Sequence, residues 1–110
     1  MTNTTDSSLP SIDDLTKAIL QWGIDRDFPN GATAGGQVNK LFEEGGELSG
    51  AVTRNKQPLI MDGIGDCFVV LCMIALTTGV DMRECIAAAY DEIKDRKGTM
   101  IDGKFVKEES

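Results

Sequence analysis

Residues 41–48 read Leu41-Phe-Glu-Glu-Gly-Gly-Glu-Leu48, and residues 61–66 read Met61-Asp-Gly-Ile-Gly-Asp66. Glu44 and Glu47 are three residues apart and Asp62 and Asp66 are four apart, so each pair projects from one side of a helix. Carboxylates that two such helices bring together repel one another unless a cation lies among them. This stretch therefore predicts a pair of helices that holds a divalent metal ion.

The flanking sequence predicts an all-α fold, a bundle of four helices followed by a short C-terminal β-hairpin. Capping residues, apolar spacing and helix breakers place the helices at residues 11–23, about 34–54, 58–78 and 81–98. Residues 24–36 are rich in glycine and contain Pro29, so they are expected to be mostly loop. Asp102-Gly103 lies between β-prone residues and predicts the turn of the hairpin.

Acidic residues interrupt the apolar stripes of the two central helices. Glu44 lies on the stripe of the second helix, and Asp62 and Asp66 lie on the line that continues through Val69 and Met73. All three are therefore expected to point inward, where an unpaired carboxylate is unfavourable. The alternative is a structural helical domain in which these acids belong to a solvated face.

Glycines surround the same acids, and each costs a helix about 1 kcal/mol relative to alanine. They are Gly45, Gly46, Gly50, Gly63 and Gly65. Two explanations remain open: an approach of the helix backbones that lets short acidic side chains share an ion, or tight helix packing without a ligand.

Length and composition favour one intracellular domain. The 110 residues suit a single domain over residues 11–110, after a loose polar tail at residues 1–10. The net charge of −7, without a long basic block, argues against nucleic acid and anionic membrane as partners. The most apolar run, residues 67–75, is about half the ~20 residues of a membrane span. With no secretory signal, a cytoplasmic location is expected.

The residue types also narrow the chemistry. The chain contains no histidine, and its three cysteines lack CxxC spacing, so we expect reduced cysteines in the core. Carboxylate oxygens select a hard cation, Mg2+ or Mn2+, which commonly binds substrate phosphates. Metal-activated water that attacks phosphorus fits this set, and Glu43 or Glu47 is the nearest general base.

Beyond these arguments, residues 41–48 and 62–66 resemble the acidic pattern of the MazG-type all-α nucleoside triphosphate pyrophosphohydrolases, relatives of the dimeric dUTPases. The resemblance covers roughly residues 22–106, and the small phage-type branch is the most similar, through residues 90–98 and the hairpin. The family pattern consists of an ExxE motif, a spacer and an ExxD motif. Glu44 and Glu47 match the two acids of the first motif, and Asp66 matches the last acid of the second. Gly63 stands where the family usually has Glu, and Asp62 is the candidate replacement.

The resemblance implies an enzyme that uses Mg2+ to hydrolyse a nucleoside triphosphate to monophosphate and pyrophosphate, as a homodimer or homotetramer. It implies a metal site of Glu44, Glu47, Asp62 and Asp66, and catalytic roles for Glu43, Glu44 and Glu47. Asp91 departs from the Asn that relatives often have. The implied substrate-binding residues are Trp22, Asn30, Gln37, Lys40, Tyr90, Asp91, Lys94, Arg96 and Lys97. An alternative is a regulatory module that binds nucleotide and metal without turnover.

Overall fold

The computed structural model describes residues 8–109, and the chain divides after Gly79 into two compact units. The predicted all-α fold with a C-terminal hairpin is confirmed. Residues 1–7 of the predicted tail lie outside the described residues, and the single domain over residues 11–110 stays a prediction. The elements are α1 (Ile12–Asp25), α2 (Phe28–Gly31), α3 (Ala34–Thr53), α4 (Gln57–Thr78), α5 (Met82–Ile93), β1 (Gly98–Ile101) and β2 (Lys104–Lys107).

Side-chain caps begin α1 and α3 where the sequence predicts them. The Ser11 hydroxyl accepts a hydrogen bond from the Asp14 amide at 3.1 Å, which caps α1. The Thr33 hydroxyl accepts one from the Gly36 amide at 3.0 Å, which caps α3. These bonds satisfy amides that have no partner within the helix. Gly79, with φ 75°, ends α4 in the left-handed conformation that favours glycine.

The segment after the first helix differs from the prediction. Helix α1 continues past Gly23 to Asp25. Gly23 is buried where α1 packs against α4, and a Cβ atom at this position would lie 2.6 Å from the Leu76 Cδ1 atom. The expected loop then contains the one-turn helix α2. Pro29 in its first turn has no amide hydrogen to satisfy, and Asp27 enters the turn with φ 62°.

Helix α4 is the centre of the N-terminal unit and packs against α3, α1 and α2. The buried apolar residues of the described chain are Ala51, Val70, Cys72, Met73 and Ala75. All but one belong to α4, where they lie within the most apolar run, residues 67–75. Even so, α4 is long and apolar enough to cross a membrane, and 28% of its apolar 18-residue window is buried. Length and composition alone are weak evidence for a membrane span, because core helices pass the same test.

The C-terminal unit contains α5 and the hairpin. Asp81 caps α5 by accepting a hydrogen bond from the Glu84 amide at 3.0 Å, and the helix ends at Ile93 rather than near Gly98. The strands pair antiparallel with Gly98 opposite Lys107. Asp102 and Gly103 both have positive φ, 51° and 78°, as expected for the tight hairpin turn predicted there.

The cysteines within the described residues are all free. Cys72 is buried and Cys67 is half-buried, but Cys85 is exposed on α5. The prediction of a core position is therefore wrong for Cys85. Apolar spacing on a short surface helix does not show whether any element packs over it.

Candidate active site

An open cleft of about 700 Å³ runs along the α3 and α4 pair. The lining positions of each helix lie on successive turns, so each helix contributes one face. A short loop between Thr53 and Gln57 connects the two helices, so α4 packs beside α3 and the two faces meet. The cleft is lined by Glu43, Gly46, Glu47, Gly50 and Arg54 of the first segment and by Leu59, Asp62, Gly63 and Asp66 of the second.

Gly63 is the point of closest approach between the two helices. A Cβ atom at this position would lie 3.0 Å from the Leu48 Cβ and 3.2 Å from the Leu48 Cα. The expected close approach of helix backbones is thus present at Gly63. At Gly45 and Gly65 an added Cβ atom would meet nothing within 4 Å, so close packing does not explain those glycines.

Glu44 is buried, as its place on the apolar stripe predicts, with 9% of its surface exposed. Its Oε1 atom lies 3.5 Å from the Lys40 ammonium, which also lies 3.9 Å from Glu43. The other oxygen, Oε2, is buried without a hydrogen-bond partner among residues 8–109. Glu44 is not among the residues that line the cleft, whereas its neighbour Glu43 is. Its assignment as a metal ligand stays a prediction.

Asp62 and Asp66 line the cleft but do not face the core. Both are exposed, so the prediction that they continue an inward stripe is wrong for this chain. The buried line of α4 runs instead through Gly63, Val70 and Met73. Asp62 precedes Gly63 by one residue, a rotation of ~100° on a helix, which moves its carboxylate from the interface to the rim. These two acids therefore remain hydrated, and their desolvation cost is small.

The cleft residues fit a hard divalent cation by their chemistry. Glu47, Asp62 and Asp66 make no ion pair within residues 8–109, so their charges are left without a basic partner there. No three acidic or cysteine side chains of that range are close enough to form a ready ligand cluster. Mg2+ ordinarily keeps several of its waters, so it needs only one or two direct carboxylate ligands. An open, acid-lined cleft suits that mode of binding.

Trp22, one of the predicted substrate-binding residues, lies in a separate aromatic cluster. Its ring centroid is 5.6 Å from that of Phe28, and the Arg26 guanidinium carbon lies 4.4 Å from the Trp22 centroid. Trp22 also lines an apolar groove of about 370 Å³ with Leu15, Ala18, Ile19 and Val69. With 41% of its surface exposed, it is not a core residue of this chain.

The other predicted substrate residues of the N-terminal unit have local roles. The Asn30 amide donates to the Asp27 carboxylate at 3.0 Å, which stabilises the turn that contains α2. Gln37 is half-buried on α3, and Lys40 forms the ion pairs with Glu43 and Glu44 described above. The structure does not bring Trp22, Asn30 or Gln37 into the lining of the acidic cleft.

The remaining candidates lie in the C-terminal unit. Tyr90 is exposed on α5. Lys94 pairs with Asp91 at 2.8 Å, and the Arg96 guanidinium lies 3.4 Å from the Glu92 carboxylate. Arg96 and Lys97 line a shallow depression of about 530 Å³ with Glu92, Asp95, Lys107, Glu108 and Glu109. Their assignment to substrate phosphates stays a prediction.

Arg54 is a cleft residue that the sequence reasoning missed. The spacing contained the signal, because Glu43, Glu47, Gly50 and Arg54 recur at four, three and four residues, the repeat of one helix face. That signal is weak, because a charged residue at the end of a helix is ordinarily solvated.

Comparison with known proteins identifies the family. The model of the MazG nucleotide pyrophosphohydrolase domain matches residues 36–101, more than half of the chain. An uncharacterized 18.2 kDa protein from the rep-hol intergenic region of Haemophilus phage HP1 (strain HP1c1) is 41% identical over 73 residues. That match covers 66% of this chain and 45% of the phage protein, so the chain matches less than half of that relative. No solved structure matches. The chain belongs to the MazG nucleotide pyrophosphohydrolase domain family.

Proposed function

We propose that this protein hydrolyses a nucleoside or deoxynucleoside triphosphate between the α and β phosphates, with Mg2+ as the cofactor. The observation that carries the proposal is the arrangement of Glu43, Glu47, Asp62 and Asp66 around one cleft. Family membership supports the reaction class, and the family generally uses a divalent metal. Mn2+ shares the preference for oxygen ligands and is the alternative ion.

The cleft residues are proposed to have two roles, cation binding and proton transfer. Glu47, Asp62 and Asp66 would hold the ion, which supplies charge neutralisation and an activated water when bound. Glu43 is exposed at the edge of the same cleft and is proposed to accept the proton of the attacking water. The water oxygen bonds to the α-phosphorus as the bond to the bridging oxygen of the β-phosphate breaks. The products are nucleoside monophosphate and pyrophosphate.

The proposal extends to the residues outside the cleft and to assembly. Trp22, Asn30, Gln37, Lys40 and Tyr90 are proposed to contact the nucleoside. Lys94, Arg96 and Lys97 are proposed to neutralise phosphates, with Asp91 beside them. A homodimer or homotetramer in the cytoplasm, without nucleic acid or membrane as a partner, completes the proposal. The support for assembly is the incompletely buried α4, where Leu71 has 41% of its surface exposed.

Turnover of a nucleotide panel tests the proposal directly. The protein is incubated with each NTP and dNTP plus Mg2+, and the products are separated by anion-exchange chromatography. Monophosphate and pyrophosphate are expected, with loss of both when EDTA is added. In water enriched in oxygen-18, attack at the α-phosphorus places the label in the monophosphate. Formation of diphosphate and inorganic phosphate instead would contradict the proposed reaction.

Gly63 favours one alternative, a module that binds nucleotide and metal without hydrolysis. The family usually has Glu at this position, and here a Cβ atom on residue 63 would lie 3.0 Å from the Leu48 side chain, so a side chain fits only if Leu48 shifts. If Asp62 does not replace that carboxylate, the metal binds without efficient turnover. The panel then shows no products, while Mg2+ with a nucleotide at ~100 times its Kd still stabilises the protein by about 2.7 kcal/mol.

A further inference from the structure

Arg54 is the basic residue of the acidic cleft. Among the residues that line it, the other charged side chains are Glu43, Glu47, Asp62 and Asp66. Within residues 8–109 the Arg54 guanidinium takes part in no ion pair and no hydrogen bond, although acids share its cleft. A guanidinium with all its donors free is suited to an anion from outside the chain.

The side chain of Arg54 extends back along α3 toward the carboxylates. Its Nη2 atom lies 3.8 Å from the position that a Cβ of Gly50 would occupy, one helical turn before its own backbone. Gly50 is three residues from Glu47, an axial separation of ~4.5 Å. The guanidinium is therefore about one turn from the nearest acid along the helix axis, close enough for both to contact one triphosphate chain.

We infer that Arg54 binds the β and γ phosphates of the substrate, and hence the pyrophosphate product. This inference rests on the proposed function, which places the α-phosphorus at the carboxylates. The polyphosphate then lies along the cleft, with its nucleoside end at the acids and its free end at Arg54. Arginine forms two parallel hydrogen bonds with phosphate oxygens, which lysine cannot reproduce.

Binding of magnesium pyrophosphate, followed by isothermal titration calorimetry, tests this role without requiring turnover. Arg54→Gln is expected to weaken pyrophosphate binding about tenfold or more, since charge-assisted hydrogen bonds are lost. Arg54→Lys should recover part of the affinity. Binding of the nucleoside monophosphate should stay within about twofold, because its phosphate lies at the other end. A purely structural role of Arg54 would not separate the two ligands in this way.

Lys56→Gln is the matched control. Lys56 is two residues away, equally cationic and exposed, but it does not line the cleft. It should leave pyrophosphate binding unchanged, and circular dichroism should show both Gln variants folded. Equal affinity of wild type and Arg54→Gln, or no pyrophosphate binding by wild type, would overturn the inference.

The proposed function can fail separately from the role of Arg54. If the wild-type protein hydrolyses triphosphate and Arg54→Gln binds pyrophosphate normally, the role of Arg54 is refuted and the proposed enzymatic function stands. If the wild-type protein shows no turnover but its pyrophosphate binding depends on Arg54, the proposed enzymatic function is refuted and the phosphate-binding role of Arg54 stands.

Discussion

The contact between Gly63 and Leu48 gives the most direct test of the helix pair that forms the cleft. Alanine is introduced separately at Gly63 and at Gly65, two residues later in α4. The two substitutions add the same methyl group to the same helix, and both remove a glycine. They differ in what the methyl meets: at Gly65 there is nothing within 4 Å, and at Gly63 there is Leu48 at 3.0 Å.

The expected energies follow from two terms. Replacing glycine by alanine inside a helix stabilises it by about 1 kcal/mol, and Gly65→Ala should show most of this gain. At Gly63 the methyl also lies 3.2 Å from the Leu48 backbone, so α3 itself must shift. Overpacking of this kind costs about 1–3 kcal/mol. Gly63→Ala should thus be roughly neutral to 2 kcal/mol destabilising.

Urea unfolding followed by circular dichroism at 222 nm measures the difference. All proteins must be compared at one concentration, because subunit association raises apparent stability. We expect Gly63→Ala to be less stable than Gly65→Ala by at least about 1 kcal/mol, or about 4 °C or more in melting temperature. If Gly63→Ala gains as much as Gly65→Ala, the close approach of α3 and α4 at Gly63 is refuted.

Three further predictions concern the acids, the cysteines and the α5 cap. Asp62→Asn should lower turnover as much as Asp66→Asn, because both carboxylates line the cleft; near-normal kcat in Asp62→Asn would remove it from the metal site. Cys85 should react rapidly with a thiol reagent in the native protein, whereas burial raises the pKa of the Cys72 thiol above its ordinary value and should protect it until unfolding. Mass mapping of the labelled peptides checks this order. Asp81→Ala should destabilise α5 by about 1 kcal/mol, seen as faster amide exchange in its first turn, and unchanged exchange would contradict the cap.

The element boundaries show how far local sequence signals extend. Ser11, Thr33 and Gly79 mark helix ends in the predicted places, because capping and left-handed glycine depend on atoms within a few residues. Gly23 misled the prediction of the first helix end for the opposite reason. A glycine can end a helix or allow another helix to pack against it, and only the position of Leu76 distinguishes the two.

The acids show the same limit within the site. Helical periodicity correctly placed Glu44 on the buried face, since its apolar neighbours lie one turn away on either side. Asp62 and Asp66, in contrast, are exposed on the rim, although the same periodicity predicts that they point inward. A helix such as α4, apolar on most sides, has no unique inward direction in its sequence, so its rotation is set by the surfaces it meets.

The helical class, the hairpin turn at Asp102-Gly103 and the abundance of carboxylates are readable from the amino-acid sequence, because they follow from propensity, turn chemistry and residue type. Which acids share a cleft depends on how α3 and α4 pack. Glu43 lines it and Glu44 does not, although they are adjacent in sequence. The tertiary structure also placed Arg54 in the acidic cleft. The reason is that a side chain's surroundings depend on the rotation of two packed helices, which contacts such as that of Gly63 with Leu48 set across the interface.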